Sequence, residues 1–551
     1  MVRRTALTLP AHRRSQIRIY YCTAMAFGTV IALALSGCSS SSKDSSTSSM
    51  ADTPPGVPAA AQLDRDDVDA AVDQLDGFVE TIMTNTGAPG VAVAVVYEDE
   101  VLYSKGFGVR KAGDPAPVDT STMFQLASVS KPVASSVVAS VVGSGGIAWD
   151  DPVKNHEPGF AVADPYVTAN ATYTDLMSHR SGLPDHAGDT LEDLGYTYPE
   201  ILDRLDQLPL ERFRDNYDYT NYGFSIAGMS AANAEGTTWA ELSKQKIYEP
   251  LGMDNTTSSF DEWVNTPNHA SNHVQVDPAA KTWEAKYVRD PEQQAPAGGA
   301  SSSVDDMAKW IRMELADGEF EGKQIVDPAA LQVTHQAHSF AHPSETPGAR
   351  DSFYGLGFNV NTDDRGRVQI GHAGAFALGA STDVKMLPSE QLGIVVLANT
   401  APVGVSETIT AQFLDYVTNG ELTVDWAPFI AEQFKMVIDS ERSDVDYTTT
   451  PADAAPARPA TDYTGMYTSP YYGQAEVVAE GNNLVLTIGK DLQQSYPLTH
   501  YTGDTYWFEP VGENAAGPTG AEFTVTGGPA TSLTIEYLDK DGLGTFTRAP
   551  Q

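Results

Sequence analysis

FQLASVSKP, residues 124–132, places Ser128 three residues ahead of Lys131, directly before a valine-rich run. Ser-x-x-Lys alone decides little, because it occurs three times in this chain: at Ser40/Lys43, Ser128/Lys131 and Ser243/Lys246. The surroundings separate the copies. Ser40 and Lys43 lie in SSSSKDSSTSS, a serine-rich stretch with no apolar period, where nothing would shift a lysine pKa. Ser243 and Lys246 lie in WAELSKQKIYEPLG, which reads as a charged, exposed length of helix with a solvated lysine. After Ser128 comes PVASSVVASVVGSGG, where Val133, Val137, Val138, Val141 and Val142 recur at helical period before a Gly-rich stop. Ser128 then falls in the first turn of a helix, with Lys131 one turn along on the same face. Pro132 is tolerated there, since a first-turn amide has no helical partner to lose.

That spacing suits acyl chemistry. A serine hydroxyl is a poor nucleophile until a base takes its proton, and a lysine is that base only when burial or cationic neighbours depress its pKa. The helix N-terminus adds N–H groups and a favourable dipole where negative charge develops. Tyr219-Thr220-Asn221 is the one Tyr-x-Asn of the chain. A phenol there relays a proton, and the amide holds Lys131 or a substrate amide. His-Ala-Gly occurs twice, at His186 and His372. His186 reads as part of a loop. His372 opens the apolar GHAGAFALGAST, where a strand edge would present Gly374 without a side chain, and the amide of Ala375.

Apolar residues Val68, Val72, Leu75, Phe78, Val79 and Ile82 recur at helical spacing between Leu63 and Asn85. VAVAVVYEDEVLYSKGFG then reads as two strands turning at Glu98-Asp99-Glu100. A second hairpin-like pair lies in GHAGAFALGASTDVKML and LGIVVLAN, followed by a helical pattern through Ile409, Phe413, Leu414 and Val417. Helix and loop patterns fill the middle, with Ser303 to Asp306 as a capping box. The expectation is an α+β domain over 63–440: an antiparallel sheet built from the two ends of the segment and flanked by helices, with an all-helical subdomain inserted. Residues 441–460, rich in Thr, Pro and Ala, read as a linker. Residues 461–551 alternate with hairpin signals at Gly481-Asn482 and Asp541-Gly542, which predicts a small antiparallel β-domain.

Residues 1–37 carry Arg3, Arg4, Arg13, Arg14 and Arg18 and then an uncharged, largely apolar stretch ending in ALALSGC. This reads as an export signal. Leu35-Ser36-Gly37-Cys38 resembles a bacterial lipobox, whose cysteine becomes the lipid-bearing first residue; the rival reading of the stretch is a plain transmembrane anchor. Residues 38–62 would then be a Ser/Pro-rich tether. The expected location is the outer face of a bacterial membrane, held through lipid on Cys38. With only Cys22 and Cys38 in the chain, no disulfide or catalytic thiol is left for the folded part. Losing five arginines and no acids takes the net charge from −39 to −44, which argues against nucleic acid as a partner.

Eight short motifs now stand in order: PGVAVAV at 89–95, FQLASVSK at 124–131, DLMSHRSGLP at 175–184, YTNYG at 219–223, EPLGM at 249–253, PAGG at 296–299, YGLGF at 354–358 and GHAG at 371–374. Together they resemble the penicillin-binding-protein-like serine hydrolases, which include class C β-lactamases, DD-carboxypeptidases, D-aminopeptidases and esterases. The resemblance implies Ser128 as acylated nucleophile, Lys131 as general base, Tyr219 as a partner in proton transfer and Asn221 as an orienting group. It implies an oxyanion hole of the Ser128 and Ala375 amides, and it places His372, Ala373 and Gly374 at the family's Lys-Thr-Gly element. There a histidine replaces the cation that meets a β-lactam carboxylate, so the resemblance leans toward peptidase or esterase members. The segment from YTGMYTSPYYG resembles a β-barrel domain appended to some relatives. The expected substrate is a small molecule or peptide, cell-wall peptide included. The competing readings are a β-lactamase and a catalytically silent envelope scaffold. No cofactor or metal is implied: His335, His338 and His342 in THQAHSFAH, like His269 and His273, read as loop residues.

Overall fold

The computed structural model describes residues 62–344, 349–481 and 483–550. The leader, Cys38, Ser40 and Lys43 lie outside the described residues, as does Asn482 of the Gly481-Asn482 turn.

An eight-stranded antiparallel sheet forms the centre of the first domain. Its strands are β1 (Gly90–Tyr97), β2 (Glu100–Gly108), β3 (Ser339–His342), β4 (Ser352–Tyr354), β5 (Asn359–Thr362), β6 (Val368–Phe376), β7 (Ala380–Leu387) and β8 (Leu392–Ala398). Their order is β2-β1-β8-β7-β6-β5-β4-β3, so the two ends of the domain meet where β1 pairs with β8, Val91 opposite Ala398 and Val95 opposite Ile394. Every residue of β1, β7 and β8 is buried, because both faces of the sheet are covered. Side chains alternate across the pleat. Val91, Val93 and Val95 pack on α1 (Arg65–Val72), α2 (Leu75–Thr86) and a helix at Val405–Asn419, through Val68, Val79, Ile82, Ile409 and Phe413. Ala92, Ala94 and Val96 point the other way, into the large core shared with α3 (Ser130–Gly143) and the inserted segment. The N-terminal apolar period is carried by two helices rather than one, with the break at Asp73-Gln74.

The insertion is mainly helical, with three two-stranded ribbons, among them Phe124–Gln125 against Ser301–Ser302. That ribbon leads straight into the nucleophile turn. Ser303 caps the helix Val304–Leu315 by accepting from the Asp306 amide, whereas the Asp306 carboxylate turns away to the Asn255 amide and Thr256 hydroxyl, so the box closes on one side only.

Residues 442–459 run as turns and coil, after which eight strands close an antiparallel barrel in sequence order. They are β9 (Gly465–Ser469), β10 (Gly473–Glu480), β11 (Asn483–Ile488), β12 (Gln494–Thr502), β13 (Thr505–Phe508), β14 (Thr519–Thr524), β15 (Ser532–Ile535) and β16 (Thr545–Arg548). The β15–β16 connection is a 3-10 turn plus loop rather than a tight hairpin at Asp541-Gly542. In an up-and-down barrel alternate connections share one end. The β9–β10, β11–β12 and β13–β14 connections all meet the inserted segment around residues 188–204.

Candidate active site

Ser128 sits in a 3-10 turn, Ala127–Val129, and α3 begins two residues later at Ser130. Ala127 has φ +47°, a backbone region that a residue with a Cβ enters at a cost of order 1 kcal/mol and keeps only where its surroundings enforce it. Three contacts enforce it here. The Val129 amide donates to Leu126 O, the Thr382 hydroxyl donates to the same oxygen at 2.6 Å, and Ala127 packs on Phe376 and Ala380 at the adjoining ends of β6 and β7.

Lys131 is completely buried. Its Nζ lies 3.0 Å from Ser128 Oγ, 2.7 Å from Asn221 Oδ1 and 3.1 Å from Ala297 O. None of these is an anion, so burial prevails and lowers the amine to about 7, Asp189 opposing from beyond Asn221. In the neutral form the two N–H groups match Asn221 Oδ1 and Ala297 O, leaving the lone pair for the Ser128 hydroxyl. The Tyr219 hydroxyl donates to Ser128 Oγ at 2.8 Å from the other side. Tyr219 is held from behind by His179 of DLMSHRSGLP, whose ring lies 4.5 Å away and whose Nδ1 accepts from the Thr220 amide.

The strand β6 passes the nucleophile on its other flank. β5 pairs with β6 only as far as Gly371, and beyond it residues 372–376 pair with β7 alone. A Cβ on Gly374 would lie 2.3 Å from Leu126 O and 3.0 Å from Ser128 N. The glycine therefore serves the close approach of β6 to the nucleophile turn, with Ala375 next in line. His372 departs from what its place in the motif suggested. It is fully buried, its Nε2 accepts from the Tyr354 hydroxyl at 2.9 Å and its Nδ1 donates to Ala373 O at 2.6 Å. Burial, with Lys131 nearby, lowers its pKa to about 3. The ring is a neutral spacer, 6.2 Å from Tyr219 between centroids, and offers no cation to a substrate.

These elements belong to a known constellation. A family model described as Beta-lactamase matches residues 75–417, more than half of the sequence. The chain belongs to the β-lactamase family. A second family model, described as a domain of unknown function (DUF3471), matches residues 449–545. Among curated proteins the chain is similar to the Unguisins hydrolase ungD' of Aspergillus campestris, 24% identical over 429 residues, 75% of this chain and 78% of that one. It is also similar to the D-alanyl-D-alanine-carboxypeptidase/endopeptidase AmpH of Escherichia coli, 22% identical over 354 residues, 63% of this chain and 89% of that one. Among solved structures, the octameric penicillin-binding protein homologue from Pyrococcus abyssi shares the fold, with a TM-score of 0.56 at 21% identity, over 84% of this chain and 98% of that one. The protein is a serine hydrolase of the β-lactamase and penicillin-binding-protein type.

Within this serine hydrolase, Asp189, which the sequence did not single out, and His186, which it did not assign to the site, complete the setting. Asp189 Oδ2 accepts from Asn221 Nδ2 at 2.7 Å and is 2.7 Å from His186 Nδ1. This fixes the Asn221 amide with its oxygen toward Lys131. Burial lowers the His186 pKa, but Asp185 and the hydrogen bond to Asp189 outweigh it and raise the group to about 9. His186, read above as a loop residue, thus carries the positive charge that His372 lacks. Its ring lies 5.8 Å from that of Tyr219. The signal available in the sequence was the repeated His-Ala-Gly with an aspartate one residue beyond it.

The remaining candidates lie elsewhere. Ser243 is buried and donates to Trp239 O, while Lys246, partly exposed, pairs with Glu235 at 2.9 Å. His335 meets Glu314 Oε2 and His338 meets Val333 O, each at 2.9 Å, while His342 packs near the Tyr217 ring. His269 and His273 are bound to backbone carbonyls of Thr266 and Asn399.

Proposed function

We propose that this serine hydrolase works by acyl transfer through an ester on Ser128, acting on a peptide, amide or ester in the manner of a DD-carboxypeptidase, D-aminopeptidase or esterase. The observation that carries the proposal is Ser128 Oγ held between Tyr219 and a buried Lys131 lowered to about 7. Lys131 Nζ takes the Ser128 proton as Oγ attacks the substrate carbonyl. The Ser128 and Ala375 amides receive the oxyanion. Tyr219 passes a proton to the leaving group, which departs with the bonding electron pair, and regains one from Lys131, which Asn221 orients. Water then attacks the ester as Lys131 takes its proton, the carbon–Oγ bond breaks with its electron pair going to Oγ, and Lys131 returns the proton to Ser128 as the acid leaves. Peptidase-type relatives such as AmpH support a peptide substrate, cell-wall peptide included. A β-lactamase is the weaker reading, because His372 is neutral and turned inward. The leader and Cys38 support export and attachment by lipid to the outer face of a bacterial membrane.

The test is the intact mass of the soluble part, starting near Ala51, after brief exposure to a fluorophosphonate. One adduct on the wild type, absent from Ser128→Ala, is the expected result; no adduct on either would favour the scaffold reading. D-Ala-D-Ala peptides, D-amino-acid amides, short-chain esters and cephalosporins would then sort the substrate class.

A further inference from the structure

The barrel exchanges carboxylates with the hydrolase domain beside the nucleophile. Asp193, from the hydrolase, accepts from the Glu513 amide at 2.9 Å, the Asn514 amide at 2.8 Å and Asn514 Nδ2 at 2.9 Å. Glu513, from the β13–β14 loop, reaches back. Its Oε1 accepts from the Ala377 amide at 2.6 Å, and its Oε2 lies 3.3 Å from the Leu378 amide. Two walls of the site are thereby joined by one three-residue piece of the barrel. Asp193 ends the short helix Asp189–Asp193, whose first residue holds Asn221. Ala377 and Leu378 form the turn between β6 and β7, two residues beyond Ala375. The residues flanking this turn, Phe376 and Ala380, are the ones that pack on Ala127, next to the nucleophile.

The fit is close and half-buried. A Cβ on Gly512 would lie 2.7 Å from Asp193 Oδ2, so a larger residue there would push the Asp193 carboxylate from its place on the loop amides. Arg289 sits between the walls, bidentate on Glu192 at 3.1 and 2.9 Å, 3.9 Å from Glu513, and over the Phe376 ring at 5.2 Å. Glu513 is half-buried, and its carboxyl, kept on two consecutive turn amides, restrains that turn more than a single contact would.

We infer that Glu513 is a positioning residue for the acylation reaction, and that the barrel acts as a strap that holds the β6–β7 turn and, through it, the nucleophile turn and the Ala375 amide. The inference deepens the acyl-transfer reading and rests on it for its catalytic half. A strap of this kind acts on the rate constants of bond making, since a misplacement of about 1 Å at a catalytic group costs about a hundredfold. It leaves the bulk of the substrate contacts, and hence KM, nearly as they were.

The experiment uses the full soluble chain with Glu513→Ala, Glu513→Gln and Gly512→Ala. The expected result is a fall of at least about tenfold in fluorophosphonate labelling rate and in kcat for Glu513→Ala and Gly512→Ala, with KM within about twofold. Glu513→Gln keeps an oxygen on the Ala377 amide and is expected within about threefold of wild type. Hydrogen exchange of the peptide covering 372–380 is measured in parallel, and faster exchange in Glu513→Ala than in wild type is expected. Wild-type labelling by Glu513→Ala, or unchanged exchange at 372–380, overturns the inference. A wild type that takes no label is a failure of the acyl-transfer reading instead, and the exchange measurement then decides the strap by itself.

Discussion

Lys131 Nζ and Asn221 Oδ1 lie 2.7 Å apart, with no carboxylate among the described residues touching the amine, and this pairing sets the protonation state of the site. An amide oxygen stabilises the ammonium far less than a carboxylate would, so burial dominates and holds Lys131 at about 7. The base is the neutral form. The acylation rate is therefore expected to rise with pH through about 7 and to level off above it. Stopped-flow release from an activated ester checks this between pH 5 and 9. Lys131→Arg should be inactive over the whole range, because a guanidinium stays protonated.

Tyr219 donates to Ser128 Oγ at 2.8 Å, and its removal is expected to slow turnover more for amides than for esters. An amine must be protonated to leave, whereas an aryl oxide leaves unaided. Tyr219→Phe should lose about 10² to 10⁴ in kcat on a peptide amide. On a nitrophenyl ester the loss should be smaller. Equal losses on both substrates would place Tyr219 in nucleophile activation alone.

Gly374→Ala is expected to abolish labelling and lower the melting temperature together. The added Cβ meets Leu126 O at 2.3 Å, Thr382 Oγ1 at 2.3 Å and Ser128 N at 3.0 Å. Two of these are backbone atoms of the nucleophile turn, which lack a rotamer to retreat into, and overpacking of this sort typically costs about 1–3 kcal/mol. Calorimetry and fluorophosphonate labelling on the same sample test the pairing of the two effects.

Legibility of this fold followed the reach of each signal. The unbroken apolar run of β1 and its echo in β8 state that both faces of a sheet are covered, and that is visible in a single line of sequence. Hairpin signals after 461 announce an antiparallel domain, although not its closure, which depends on β9 meeting β16 across some 80 residues. At the site, Ser128, Lys131, Tyr219 and Asn221 come together from two helix starts, and each lay in a motif. Glu192, Asp193, Arg289 and Glu513 lay in segments without period or motif, and Asp189 directly follows a His-Ala-Gly that read as loop. Their meaning is wholly long-range: Asp189 matters because Asn221 is opposite, and Glu513 because the β6–β7 turn is. His372 shows the reverse failure. Its motif marked the right strand, but the direction of its ring is set by Tyr354, eighteen residues away.

Asp189→Asn probes one of those unmarked residues. Its carboxylate holds Asn221 Nδ2, and at a distance its charge favours the protonated form of Lys131. The neutral variant should therefore move the rising limb of the pH–rate profile to lower pH. An asparagine at 189 also frees the Asn221 amide to turn its NH2 toward Lys131, with an expected drop of about ten- to a hundredfold in the plateau rate. A lower plateau with an unmoved limb would make Asp189 a brace without electrostatic effect.

Glu407 gives the protein a pH dependence of stability away from the active site. It is buried against the sheet with Asp383 of β7, which accepts from Thr410 Oγ1 at 2.5 Å, and with Lys385, 3.2 Å from Asp383. Burial first, and then the Asp383 charge, raise Glu407 to about 8, Lys385 opposing. The folded protein thus keeps a proton that the unfolded chain, near 4.5, has released. Between those two values the native state binds more protons than the unfolded state, so stability falls as pH rises, by at most about 1.4 kcal/mol per pH unit from this group. It is fully present below the unfolded pKa and is lost once pH passes the folded one. Glu407→Gln mimics the protonated acid and should flatten this slope. Urea unfolding of both proteins at pH 5, 6.5 and 8 measures it, and parallel curves would show that Glu407 is ionised in the fold.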